Sequence, residues 1–294
     1  MTHSQLRVLA RTLGILAFGV CFALALEHSS VGDRAPRLTA APLPAVDSAG
    51  PAPARVPPIL VGADATPAAA STPFVGMPMV GALFTTGQGG RPGGHFCTGS
   101  VVDSPGGNVV VTAAHCLEDP ANGSTTVASF VFVPGYHDGQ EPYGEWTPVK
   151  VFIDPHWTAD SNPDYDYAFV VLRKTGDPKA RLSSLVGAEH VSFDTRLPVL
   201  VGGIGYHEGT EQPIACLNTL KPYQPTQSEF DCGGFTDGSS GGPMLMGLDA
   251  TTGRGSVIGV IGGYEEGGFT PEVSYAAAFG AAAQGLYQQA IAVP

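Results

Sequence analysis

Val111-Thr112-Ala113-Ala114-His115-Cys116 ends an apolar, β-branched run in small residues and sets a histidine at its edge. Two later stretches match it in kind. Asp164-Tyr165-Asp166-Tyr167-Ala168-Phe169-Val170-Val171-Leu172 places carboxylates at the mouth of a second apolar run. Gly238-Ser239-Ser240-Gly241-Gly242-Pro243 surrounds a serine with glycines, so the backbone can turn tightly and aim amide N–H groups at one point. A serine hydroxyl is a weak nucleophile until a base takes its proton. Imidazole suits that task because its pKa lies near neutrality. A carboxylate can hold the imidazole in one tautomer, and both Asp164 and Asp166 stand in range for this.

Outward from these stretches the chain alternates short apolar runs with turn signals. The runs are Met79 to Thr86, Asn108 to Thr112, Thr125 to Val133, Thr147 to Ile153, Tyr167 to Leu172, Leu197 to Ile204 and Ser256 to Ile261. Pro105-Gly106-Gly107, Pro134-Gly135, Asp138-Gly139 and Gly253-Arg254-Gly255 separate them. Many short strands at such spacing predict an all-β sandwich or barrel. Helix is predicted only over Ala276 to Ala292, where Gly280 and Gly285 weaken it by about 1 kcal/mol each.

The sequence has 294 residues, with 40 Gly and 26 Pro, a composition that favours turns and short strands. Its net charge is −12 with only 14 Lys and Arg, and no cationic cluster that could track phosphates, so nucleic acid is excluded as a partner. Arg7 and Arg11 precede the apolar run Leu13 to Leu26, which is shorter than the ~20 residues of a membrane span. Ala23-Leu24-Ala25 has the small-x-small form of a signal-peptidase site. Residues 1–25 therefore read as a signal peptide, leaving a secreted chain with no membrane partner once it is cleaved; an uncleaved anchor is the competing reading. Residues 26–73 are rich in Ala and Pro without helical or strand period and read as a linker or a pro-segment. Four cysteines remain after residue 25, Cys97, Cys116, Cys216 and Cys232. An even number in a secreted chain predicts two disulfides out of three possible pairings; Cys97–Cys116 and Cys216–Cys232 close the shortest loops. A zinc site using His95, Cys97, His115 and Cys116 lacks a paired C-x-x-C spacing.

Taken together, Thr112 to Cys116, Asp166-Tyr167-Ala168 and Gly238 to Pro243 resemble the active-site motifs of the chymotrypsin-like, or trypsin-like, serine proteases, in the same His, Asp, Ser order. His95-Phe96-Cys97-Thr98-Gly99-Ser100-Val101-Val102 resembles the family's strand before the histidine, whose cysteine bridges to the one after it. The resemblance spans residues 74–294 and is nearest to compact bacterial secreted members. It implies two packed antiparallel six-stranded β-barrels with the active site between them, plus a C-terminal helix. It implies a serine endopeptidase acting on protein or peptide substrates, as a monomer and without cofactor or metal. The roles it carries over are His115 as base, Asp166 as orienting group, Ser240 as nucleophile, and the N–H groups of Gly238 and Ser240 as an oxyanion hole. A protease-like binding module without catalysis is the alternative.

Two departures from the family stand out. Many members carry Asp directly before the nucleophile, to pair with a freshly cut N-terminus; Ser239 stands there, so that switch is not expected. The primary pocket is expected to use Gly234, Ile261, Gly262 and Gly263. Basic-specific members have Asp where Gly234 falls, and glutamate-specific ones a His where Ile261 falls, so an apolar or small residue before the cut is expected. Gly262 and Gly263 are expected to leave a backbone edge free for an extended peptide.

Overall fold

A computed structural model describes residues 56–57, 60–61, 65–86, 92–120, 124–125 and 130–293. All of these lie in one compact unit, Ala49–Pro294. The signal peptide expected over residues 1–25, and the Ala/Pro-rich segment up to residue 55, lie outside the described residues.

Six strands form the first half: β1 (Val80–Thr86), β2 (Pro92–Val102), β3 (Val109–Thr112), β4 (Phe130–Pro134), β5 (Trp146–Ile153) and β6 (Ala168–Lys174). They close into an antiparallel barrel in the order β1-β2-β3-β6-β5-β4. Every residue of β3 and β4 is buried, so these strands are apolar without alternation. Val80, Leu83, Val101, Val111, Phe132, Trp146 and Phe169 fill the interior. The register between β3 and β6 fixes where their flanking residues fall. Val111 pairs with Phe169 and Thr112 with Ala168, so the chain leaving β3 and the chain entering β6 meet at one end of the barrel.

The second half contains β7 (Val199–Gly205), β8 (Ile214–Gln224), β9 (Gln227–Phe230), β10 (Pro243–Met246), β11 (Ser256–Val260) and β12 (Ser274–Ala277). Their order is β11-β10-β7-β8-β9-β12, with the short strand His190–Val191 added beyond β11. An Ile261–Ala276 bridge brings the two ends of this six-strand set together, which rolls the sheet around Val201, Phe230, Cys232, Met244 and Ile258. The architecture is the chymotrypsin fold.

Several expectations change in detail. Within the expected run Thr125 to Val133, Thr125 pairs with Glu118 in a separate two-stranded sheet, and Phe130–Pro134 forms β4 of the barrel. The C-terminal helix, α1, spans Ala281–Ile291 and not Ala276 to Ala292. Ala276 and Ala277 belong to β12, paired with Ser228 and Gln227, because pairing and burial override the helix preference of alanine. Helix α1 comes after the second half in the chain yet docks on the first. Ala283, Leu286 and Ala290 are buried, and the Tyr287 ring lies 5.4 Å from that of Phe169. The chain before Phe74 is part of the fold: Ala68 N–H donates to Leu217 O (2.8 Å), and Thr72–Pro73 pairs with β8. Among the described residues, no helix is long and apolar enough to cross a membrane.

Candidate active site

The β3–β6 register places His115 three residues past Thr112 and Asp166 two residues before Ala168, side by side. Asp166 is fully buried and accepts three hydrogen bonds. His115 N donates to Oδ1 (2.9 Å), His115 Nδ1 to Oδ2 (2.7 Å) and Gly263 N to Oδ2 (2.8 Å). With the carboxylate oxygen as acceptor, the imidazole proton sits on Nδ1, leaving Nε2 as the basic nitrogen. Burial pulls the His115 pKa down. The Asp166 charge, its hydrogen bond to the ring and the charge of Glu266 outweigh that pull, and the net result is raised above the ordinary 6.5. Asp164, the competing carboxylate, is occupied elsewhere: Gln227 Nε2 donates to its Oδ1 (2.9 Å), as does Thr226 Oγ1. Geometry thus separates two aspartates that the sequence left side by side.

Gly262 explains how the carboxylate fits. A Cβ there would lie 2.9 Å from Asp166 Oδ2 and 3.3 Å from Ala113 Cβ, so only a bare backbone admits the carboxylate. The N–H groups of Gly262 and Gly263 are both spent, on Tyr275 O (3.0 Å) and on Asp166. The free backbone edge expected at these two glycines is therefore not open on its donor side. Both glycines serve the Asp166 region instead.

Ser240 lies in the loop between β9 and β10, half-buried. It shares a cavity of about 100 Å³ with His115. Phe235, Ile261 and the exposed Phe269 give that cavity apolar wall; Asp237, Glu265 and Glu266 give it carboxylates. None of these carboxylates was expected at the site; for Glu265 and Glu266 the acidic tract Tyr264-Glu265-Glu266 was the available signal. Ile261 lines the cavity. Gly234 does not; its N–H donates to Pro271 O (2.7 Å). The loop glycines are required by close approach. A Cβ on Gly241, at φ +80°, would lie 2.1 Å from Thr112 Oγ1 and 2.3 Å from Thr98 O. Buried Ser239 donates its hydroxyl to Thr236 O within the loop.

Both expected disulfides form. Cys97–Cys116 ties β2 to the residue after His115, and Cys216–Cys232 ties β8 to the approach to the Ser240 loop. Cys97, His115 and Cys116 do cluster, but both sulfurs are spent in the disulfide and neither is a thiolate ligand. A larger cavity of about 430 Å³, lined by Asn108, Leu172, Arg181 and Ile291, lies away from these groups.

Fold and site together define a chymotrypsin-fold protein with a hydrogen-bonded Asp–His pair whose imidazole shares a cavity with a glycine-flanked serine. Residues 69–279 match the Trypsin family model, and the chain belongs to that family. Solved structures agree. Protease Anisep from Arthrobacter nicotinovorans is 26% identical, with a TM-score of 0.62 over 76% of this chain and 99% of that one. A thermostable serine protease, AL20, from an extremophilic microorganism is 27% identical, with a TM-score of 0.62 over 74% and 98%. A Glu endopeptidase at 18% identity and TM-score 0.60 shares the fold over 76% and 97%. No curated protein matches the chain significantly.

Proposed function

We propose that the protein is a secreted serine endopeptidase in which Ser240 is the nucleophile, His115 the general base and Asp166 the orienting carboxylate. The observation that carries this reading is the three-donor cradle of Asp166, which commits His115 Nδ1 while the imidazole and Ser240 line one cavity. In the reaction, Ser240 Oγ bonds to the carbonyl carbon of the substrate and its proton passes to His115 Nε2. The oxyanion is stabilised by the N–H groups of Gly238 and Ser240, neither of which donates to any described residue. His115 then protonates the amine as the C–N bond breaks, leaving an acyl-enzyme. Water, deprotonated by the same nitrogen, releases the acid and restores the serine. The substrates are proteins or peptides, and the chemistry is complete without metal or cofactor.

Two disulfides fit an oxidising compartment, which supports export. Residues 1–25 are read as the signal peptide. Residues 26–73 are read as a linker or pro-segment whose last part packs on the protein, with Leu60 buried and Ala68 bonded to the second sheet. The test is fluorophosphonate labelling of the folded protein, repeated on Ser240→Ala. Labelling of the wild type alone supports the assignment; an unlabelled, folded wild type would point to a non-catalytic binding module.

A further inference from the structure

Four successive peptide groups of the Ser240 loop have tethered carbonyls. Asp237 O accepts from Glu208 N (2.6 Å), Gly238 O from Thr98 Oγ1 (3.0 Å), Ser239 O from Gly242 N (2.9 Å) and Ser240 O from Thr98 N (2.7 Å). In a trans peptide the N–H points opposite to the C=O. Holding Asp237 O and Ser239 O therefore aims the N–H groups of Gly238 and Ser240 to the other side, where they remain free. Two of the four tethers come from a single residue of the other half of the fold, Thr98 on β2.

The Thr98 side chain is fully buried and its hydroxyl makes two hydrogen bonds. It accepts from Tyr206 N (2.8 Å), so its one proton is committed to Gly238 O. Tyr206 opens the turn whose Glu208 N holds Asp237 O, so the same hydroxyl supports two neighbouring tethers, one directly and one through that turn. Thr98 O in turn accepts from Thr112 Oγ1 (2.7 Å) at the end of the strand that delivers His115. We propose that Thr98 is a positioning residue for the oxyanion donors: its hydroxyl sets the orientation of the loop that presents the Gly238 and Ser240 N–H groups. This rests on the assignment of Ser240 as nucleophile.

Thr98→Val keeps the shape of the side chain and removes the hydroxyl, leaving Gly238 O and Tyr206 N facing a methyl group. Thr98→Ser keeps the hydroxyl. Active sites are counted by fluorophosphonate titration, and kcat, KM and inhibition by a peptide aldehyde are measured per active site. The aldehyde reports on the donors because its hemiacetal oxygen occupies the oxyanion position. Removing one donor outright costs about 100- to 1000-fold in rate, so misaiming donors is expected to cost about 10- to 100-fold in kcat. KM is expected to stay within about twofold, aldehyde affinity to fall in step with kcat, and Thr98→Ser to recover most of both. A purely structural role would lower the melting temperature and the count of active sites but not kcat per site. Wild-type kcat and aldehyde affinity per site in Thr98→Val would overturn the proposal while leaving the nucleophile assignment intact. A wild type that never labels overturns both. Should Thr98→Val not fold, Thr98→Ala leaves room for water at the two orphaned groups, and the same loss or retention of kcat per site decides.

Discussion

Glu189 supplies a quantitative test of how the two halves are held together. It is fully buried in the connection between them. Its backbone bonds to the first half, with Glu189 N donating to Val101 O and Asp103 N donating to Glu189 O, both at 2.9 Å. Its Oε2 accepts from Gly255 N of the second half, and Oε1 has no partner among the described residues. Burial pushes the carboxyl up to about 8, against the opposing pull of the Gly255 hydrogen bond and the Arg254 charge, while Asp103 adds to the rise. Glu189 is therefore protonated in the native protein at neutral pH. Unfolding returns it to the ordinary 4.5, so between pH 4.5 and about 8 the native state holds a proton that the unfolded state has released. Stability must then fall as pH rises through that window, by up to about 1.4 kcal/mol per pH unit, and level off above it. The whole span amounts to at most about 5 kcal/mol. Glu189→Gln keeps an acceptor for Gly255 N and cannot ionise. Its new amide lacks a partner at the Oε1 position, a cost of about 1–3 kcal/mol that does not vary with pH. Urea unfolding of wild type and variant at fixed ionic strength, from pH 5 to 9, gives a difference curve in which contributions common to both proteins cancel. The variant is expected to gain on the wild type steadily up to pH 8. A difference that stays constant to within about 1 kcal/mol over that range would show that Glu189 does not hold that proton in the native state.

Two further outcomes concern the Asp–His pair. Asp166→Asn presents an amide to donors that now meet a carboxylate, which turns the imidazole to the wrong tautomer; kcat is expected to fall about 10⁴-fold. Unfolding of that variant is expected at lower denaturant, by the ~1–3 kcal/mol of an unpaired buried donor, and retention of kcat within tenfold would remove Asp166 from its role. Glu266→Gln removes a charge that raises the His115 pKa. The base must be neutral to act, so the acidic limb of the kcat/KM profile is expected to move to lower pH, less so at high salt. A limb that stays in place at low salt would show that Glu266 does not reach the imidazole.

Much of the first half was readable because its strands are local patterns. Val109-Val110-Val111 and Phe130 to Val133 are buried on all sides, and their β-branched and aromatic side chains announce it. Ala276-Ala277 was misread because alanine favours helix locally, whereas partners nearly 50 residues earlier in the chain draw it into a strand. The two disulfides were legible from loop length and the family's pattern. The carboxylates of Glu265 and Glu266 were missed at the cavity because no local period places a loop against a site.

The kinds of chemistry, their order along the chain and the glycines around Ser240 were decided by sequence alone, since each depends on residue type and on neighbours a few positions away. That Asp164 is held by Gln227 and Thr226 while Asp166 faces the His115 ring belonged to the tertiary structure. So did the second use of Gly262 and Gly263, and the four bonds that converge on Thr98. The longest of those bonds joins Thr98 to Ser240, 142 positions apart (240 − 98). Such contacts carry no local signature, because they exist only once both halves have closed and buried the polar groups that must then find one another.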